Sequence, residues 1–331
     1  MKKRIVTLGE VLLRLSTPSH YRFIKSNTFE SEYGGAEANV AVSLAMMGCS
    51  TAHVTALPEN DLGIVAKKSL QFHGVDTSYV YHDAGRMGLY FVENGSMQRS
   101  SKIIYDRFDS VFAQYDFANL DWEKIFEGAD WFHWTGITPA ISASAAAVCK
   151  EAILAAGKMN IKISADINYR RNLWQYGKSP LEVMPELIEP SHLIIAGLTD
   201  FENCMGIESN DFEAACMQAK ARCPNLHYVS TTSRKSVSAS HNKLKGKLWN
   251  GTELIKTKSY QMTHIVDRIG GGDAFMAGLI YGLLHFEDQE AINFALAASV
   301  LKHSIPGDAN LVTLEEVKQL LSGENIGKLL R

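Results

Sequence analysis

The chain has no Cys-x-x-Cys pair, and its cysteines (Cys49, Cys149, Cys204, Cys216 and Cys223) are odd in number. That argues against a paired-thiol redox or zinc motif and fits buried free thiols in a reducing compartment. No histidine stands in HxxxH or HExxH spacing, so a compact zinc site is not expected. No apolar run approaches the roughly 18 residues that span a membrane. Met1-Lys2-Lys3-Arg4 leads into only Ile5 to Leu8 before Gly9 and Glu10, too short a run for a signal-peptide core. A cytoplasmic location without membrane attachment is therefore expected. Net charge is −3, with no long block of one sign, which speaks against a nucleic-acid partner. There is no Gly-x-Ser-x-Gly elbow. The nearest approach to a phosphate loop, Gly177-Lys178-Ser179, has Asn172 where the upstream glycine belongs. Any phosphate chemistry here must use a different cradle.

What is present suits a globular enzyme: 331 residues, 46% hydrophobic and 21% charged, enough for one large α/β domain or two modest ones. Arg4 to Gly9 reads as a short buried strand. From Glu10 to Ser16 the pattern alternates, with Val11, Leu13 and Leu15 on one face and Glu10, Leu12 and Arg14 on the other, which predicts a half-exposed strand. Ala36 to Met47 is a helix with Gly48 at its C′ position, followed by a strand over Ala52 to Ala56. Met87 to Glu93 and Lys102 to Tyr105 flank Asn94-Gly95 as a hairpin, expected to join the Glu10 strand in a small sheet. Further strands are expected over Trp131 to Thr135, Ile161 to Ala165, His192 to Ala196 and His227 to Thr231. Helices over Ala143 to Ala156, Pro180 to Leu187, Asp211 to Arg222, Asp288 to His303 and Leu314 to Leu321 alternate with or follow them. The alternation predicts a mostly parallel sheet covered by helices on both faces.

The stretch that carries chemistry is Asp267-Arg-Ile-Gly270-Gly271-Gly272-Asp273-Ala-Phe275, which runs straight into an apolar helix. Consecutive glycines at a helix start let backbone N–H groups approach an anion. A carboxylate in that first turn would repel a phosphate, unless Asp273 accepts a proton during transfer. Taken alone, the stretch reads equally well as a glycine loop before a core helix. Gly278 and Gly282 leave that helix a smooth face for close packing. Gly34-Gly35 with Asn39 opens another helix, and Asp166-Ile-Asn168-Tyr-Arg170-Arg171 follows a strand; both fall where α/β sheets bind ligands.

Together these stretches resemble the ribokinase-like (PfkB-type) carbohydrate kinases. Gly34-Gly35-Ala-Glu-Ala-Asn39-Val-Ala41 through Gly48 is similar to that family's N-terminal signature, and Asp267 to Phe275 to its C-terminal one, usually written D-T-x-G-A-G-D. Gly9 to Leu15, Tyr105-Asp-Arg107, Asp166 to Arg170 and Pro306-Gly307-Asp308 resemble the branch that acts on 2-keto-3-deoxygluconate. The resemblance implies a single domain over 1–331: a three-layer α/β/α unit with a mostly parallel sheet, plus a small β-sheet lid from strands within about 10–33 and 85–110.

It also implies roles. Asp273 would be the general base, and Gly270, Gly271 and Gly272 the anion hole. Gly34, Gly35 and Asn39 would hold sugar hydroxyls, with Tyr90, Tyr105, Arg107, Arg170 and Asp308 around an acidic sugar and the two arginines facing its carboxylate. Asn168, Thr232 and Arg234 would join Gly270 and Gly272 on the ATP side. ATP and Mg²⁺ are the implied cofactors, a monovalent cation such as K⁺ is left open, and a homodimer or higher homo-oligomer is implied through the lid. Two stretches depart from the family. Its Asn-x-x-Glu corresponds to Gly197-Leu198-Thr199-Asp200, leaving Asp200 an indirect metal role, and its Thr-x-Gly-x-x-Gly nucleotide loop is Thr231-Thr232-Ser233-Arg234-Lys235-Ser236, without glycine. A kinase for a neutral ketose or pentose, and a silent sugar-binding regulator, are the alternatives.

Overall fold

Runs rich in Val, Ile and Trp, bounded by turns, become strands buried on both faces. In β1 (Arg4–Leu8), Val6 and Leu8 enter one core cluster and Ile5 the other, the period of two that places a helical layer on each side. The structure, a computed structural model, describes residues 2–323, so the remainder of the expected 1–331 span lies outside it.

The strands after β1 are, in chain order, β2 (Leu12–Ser16), β3 (Glu30–Gly34), β4 (Ser50–Pro58), β5 (Val75–Asp76), β6 (Val80–Asp83), β7 (Leu89–Glu93) and β8 (Lys102–Asp106). They continue with β9 (Trp131–Thr135), β10 (Lys162–Asp166), β11 (Leu193–Ile195), β12 (Tyr228–Ser236), β13 (Asn242–Trp249), β14 (Leu254–Lys256) and β15 (Tyr260–Met262). The large sheet runs β14-β13-β12-β11-β10-β9-β1-β4-β5, with β15 added to β13 and β6 to β4. Every pairing from β12 to β5 is parallel. The β13, β14 and β15 edge is antiparallel. A separate four-stranded sheet has the order β3-β2-β7-β8. In it β2 and β7 are parallel, and β7 and β8 form the expected antiparallel hairpin. Their connection is a loop over 94–101, closed by reciprocal backbone bonds between Ser96 and Arg99, rather than a tight turn at Asn94-Gly95.

One expectation needs correction, and two strands had not been foreseen as such. The strand predicted as half-exposed over Glu10 to Ser16 begins at Leu12 and is largely buried, Arg14 included at 2% exposure. Buried carboxylates compensate the Arg14 charge, so the alternation there separates two buried faces. The stretch after Ser238 is β13, in which exposed Lys243 and Lys245 alternate with buried Leu244 and Leu248; Gly246 interrupts the apolar pattern. β3 falls at the end of the 10–33 span expected to supply lid strands, although Glu30-Ser-Glu-Tyr-Gly34 at a sheet edge shows no apolar alternation that would mark its bounds.

The helix Gly271–His285 lies against Asp288–Lys302. A Cβ on Gly278 would stand 2.8 Å from the Ala295 Cα, and one on Gly282 2.7 Å from the Ala291 Cα, so the smooth face does bring the two backbones together. Among the described residues no helix is long and apolar enough to cross a membrane.

Candidate active site

The glycine turn meets the C-terminal ends of the parallel strands. Gly270 is left-handed (φ 79°), and a Cβ there would stand 1.9 Å from the Asp308 carbonyl oxygen, so only glycine fits. The Ala274 N–H donates to the Gly270 carbonyl at 2.8 Å. The amides of Gly271, Gly272 and Asp273 precede that bond, at the positive end of a long helix. Gly272 is open, with nothing within 4 Å of a Cβ position.

Asp273 lies in the first turn, half-buried, and its Oδ2 accepts from Asn39 Nδ2 at 2.7 Å. Asn39 Oδ1 in turn accepts the Gly35 N–H at 3.3 Å, so the first doublet orients the partner of the second. Burial pushes the Asp273 carboxyl up to about 7; the Asn39 bond opposes the rise, and the Asp308 charge adds to it. A carboxylate near neutrality is suited to taking a proton at physiological pH.

A cavity of about 320 Å³ opens over Asp273. It gathers eleven of the residues singled out from the sequence: Gly35, Asn39, Tyr90, Tyr105, Arg107, Asn168, Arg170, Gly270, Gly272, Asp273 and Asp308. Tyr105, half of it exposed, stacks on Tyr90 with ring centroids 5.8 Å apart. Asn168 is left-handed (φ 41°), which lets the chain after β10 turn across the cavity floor. Gly34 lies behind Asp308, and Gly271 faces the His303 ring rather than the cavity. Thr232 and Arg234 lie on β12 outside it. Asp200 also lies outside, accepting the N–H groups of Tyr169 at 2.9 Å and Gly197 at 2.7 Å.

Of the two arginines expected to face the sugar carboxylate, both line the cavity, and Arg107 also holds an acidic partner of its own. Arg107, 5% exposed, donates through Nε at 2.9 Å and through Nη2 to the buried Glu10, which also accepts from Ser110. Arg14 donates to Asp267 at 2.6 Å and Asp308 at 2.8 Å, and Asp308 also accepts from the Tyr90 hydroxyl. Burial opposes the Arg14 charge, yet Asp267 and Asp308 outweigh it and raise its pKa. Asp267 further accepts the Ile269 and Gly307 N–H groups, tying the glycine turn to the segment that carries Asp308. Arg170 has no carboxylate within ion-pair distance among the described residues. Sequence reasoning noted Glu10 and Arg14 only as polar faces of a strand, and it gave no role to Asp267.

Asp166 lines the floor near Asp200 and Asp273. Burial, then those two charges, push it up to about 8, with Arg170 opposing. This excess of negative charge is the environment that a hydrated divalent cation relieves. No cluster of three or more His, Cys, Asp or Glu side chains gathers for direct ligation among the described residues.

The comparisons agree with this geometry. The chain is 29% identical over 330 residues to a 2-dehydro-3-deoxygalactonokinase of Haloferax volcanii, covering 99% of each chain. A crystal structure of 2-dehydro-3-deoxygluconokinase from Thermotoga maritima superposes with a TM-score of 0.91 at 38% identity, over 97% of this chain and all of that one. A PfkB family carbohydrate kinase from Listeria grayi gives 0.91 at 34% identity, with 97% of this chain and 100% of that one covered. The family profile for pfkB carbohydrate kinases matches residues 2–313. With its ribokinase-like sheet and its paired glycine turns, the chain belongs to the pfkB family and is a sugar kinase.

Proposed function

We propose that this kinase transfers the terminal phosphoryl group of ATP, in the presence of Mg²⁺, to the terminal hydroxyl of a 2-keto-3-deoxy sugar acid, with 2-keto-3-deoxygluconate the leading candidate. The main support is the meeting, in one cavity, of Asp273 near neutrality, open glycine amides and an arginine, Arg170, without a carboxylate partner. The relatives named above for 2-dehydro-3-deoxy compounds point the same way.

In this reading ionised Asp273 takes the hydroxyl proton as the oxygen–phosphorus bond forms and the bond to the leaving ADP breaks. Asn39 holds the accepting carboxylate in place. The Gly271, Gly272 and Asp273 amides stabilise charge on the phosphoryl oxygens. Asp166, backed by Asp200, would hold Mg²⁺ through water, and the ion supplies neutralisation of phosphate charge. Arg170 binds the sugar carboxylate, while Glu10 keeps Arg107 in position beside it. The four-stranded sheet, which brings Tyr90 and Tyr105 over the sugar, acts as a lid that excludes water. Its exposed strand β8, with Ile104 at 54% exposure, would form a homodimer contact, and sedimentation as a monomer at micromolar concentration would remove that part.

The test is ATP consumption by purified protein with Mg²⁺ against 2-keto-3-deoxygluconate, fructose, ribose, gluconate and a blank. Turnover on the keto-deoxy acid supports the reading. Turnover on a neutral sugar instead would discard the substrate while keeping Asp273, and the pairing of Arg107 with Glu10 is the observation in favour of that second reading.

A further inference from the structure

Arg268 occupies the position at which the family signature carries threonine. It borders the cavity over Asp273 and also two adjoining hollows between the 94–101 loop and the β12–β13 turn. Its Nε donates to the Ala239 carbonyl at 2.9 Å and its Nη2 to the Ser238 carbonyl at 2.7 Å. Arg234, on β12, donates through Nη2 to His303 Nε2 at 3.2 Å. His303 Nδ1 lies 2.7 Å from the Ser299 carbonyl, so the proton sits on Nδ1 and Nε2 is the acceptor. The same imidazole packs on Gly271, where a Cβ would come within 2.6 Å of its Cε1. One guanidinium is thus tied to the glycine turn through an imidazole, and the other is part of that turn.

Neither arginine has a carboxylate within ion-pair distance among the described residues; their partners are neutral carbonyls and a neutral ring. Partial burial of its guanidinium end, followed by the Arg268 charge, holds the Arg234 pKa below its ordinary value, although the residue as a whole is exposed on β12. A single carboxylate could neutralise one of them. A polyphosphate carries charge and acceptors for both. The hollows that Arg268 shares with the β12–β13 turn do not include Arg170 or Tyr105, which border the sugar end. In-line transfer to a hydroxyl at Asp273 requires the leaving group to lie away from that end.

We propose that Arg234 and Arg268 form a two-guanidinium clamp on the polyphosphate of the nucleoside triphosphate donor, in place of the glycine loop that Thr231 to Ser236 lacks. The clamp rests on the kinase reading above but not on the identity of the sugar. The test titrates inorganic tripolyphosphate, adenosine and 2-keto-3-deoxygluconate separately into the parent, Arg234→Gln, Arg268→Gln and the double variant by calorimetry. Glutamine removes the charge and keeps a donor for His303 or the turn carbonyls. Each single variant should lose about tenfold in tripolyphosphate affinity and the double about a hundredfold, with adenosine and sugar-acid binding within about twofold.

The clamp is overturned if the parent does not bind tripolyphosphate, or if the double variant binds it within about threefold of the parent. Equal loss of sugar-acid binding also overturns it, since the arginines would then serve the sugar. A parent that binds tripolyphosphate but phosphorylates none of the sugars would discard the substrate and leave the clamp standing. If the double variant does not fold, Arg234→Gln on the exposed strand decides alone.

Discussion

Replacing Asp273 with Asn should lower activity and raise stability together, and the second effect should depend on pH. The substitution keeps the side chain's shape, and the new Oδ1 can still accept from Asn39. Loss of the base should reduce turnover by about 10²- to 10⁴-fold, with sugar binding mostly retained. The stability change follows from the rise of the carboxyl from 3.8 to about 7. A raised acid is protonated more readily in the folded chain, so its contribution is favourable below the unfolded value and is lost as pH rises through the folded one. That rise corresponds to about 4 kcal/mol at most against the ionised form, and to less where the carboxylate meets water.

The asparagine variant should therefore match the parent below about pH 4, gain between pH 4 and 7, and hold its full advantage at pH 8. At about 2 °C per kcal/mol for a chain of this size, that is several degrees in melting temperature. Thermal melts of both proteins from pH 4 to 8 give the stability difference. Turnover of the parent should climb through about pH 7 as Asp273 ionises. A variant within tenfold of parental turnover would sink the assignment as base, and a melting difference flat across pH would refute the electrostatic reasoning.

Arg170→Ala should raise KM for an acidic sugar by about tenfold or more while sparing a neutral one, measured by steady-state kinetics on both. Arg107→Ala should destabilise the fold by about 3–5 kcal/mol by stranding buried Glu10, and Glu10→Gln combined with Arg107→Gln should restore most of that in denaturant titrations. An unchanged unfolding midpoint in Arg107→Ala would show that the pair carries no structural weight. Gly282→Ala should cost about 1–3 kcal/mol, because its Cβ would meet Ala291 and force the two helices apart; a midpoint equal to the parent's would refute that contact.

The parts of the site legible in the sequence were those written in contiguous residues. Gly270 to Asp273 announce an anion-binding helix start, and Gly34-Gly35 with Asn39 announce its companion. The alternation of strands and helices from Trp131 onward gives the parallel sheet. Arg14 was not legible in the same way. Its partners Asp267 and Asp308 stand 253 and 294 positions away, and only the folded chain brings them to its strand. Glu10 and Arg107, separated by 97 positions, form a pair that a one-dimensional pattern shows as two unrelated polar residues. The β13 strand escaped because its alternation is carried by lysines and broken by Gly246.

The Arg14, Asp267 and Asp308 contacts have a consequence for how such a chain can change over generations. Each of the three side chains is buried, and removing Arg14 leaves two carboxylates together without their ion-pair partner. Substitution of Arg14 alone is then selected against even when substrate binding is untouched, whereas loss of one carboxylate still leaves Arg14 a partner. Replacement of Arg14, on the small sheet, has to go with change at both carboxylates, one on the glycine turn and one in the segment after the helix Asp288–Lys302. A designer moving the sugar specificity of a relative into this scaffold faces the same rule: Arg14 is exchanged together with positions 267 and 308 or left alone.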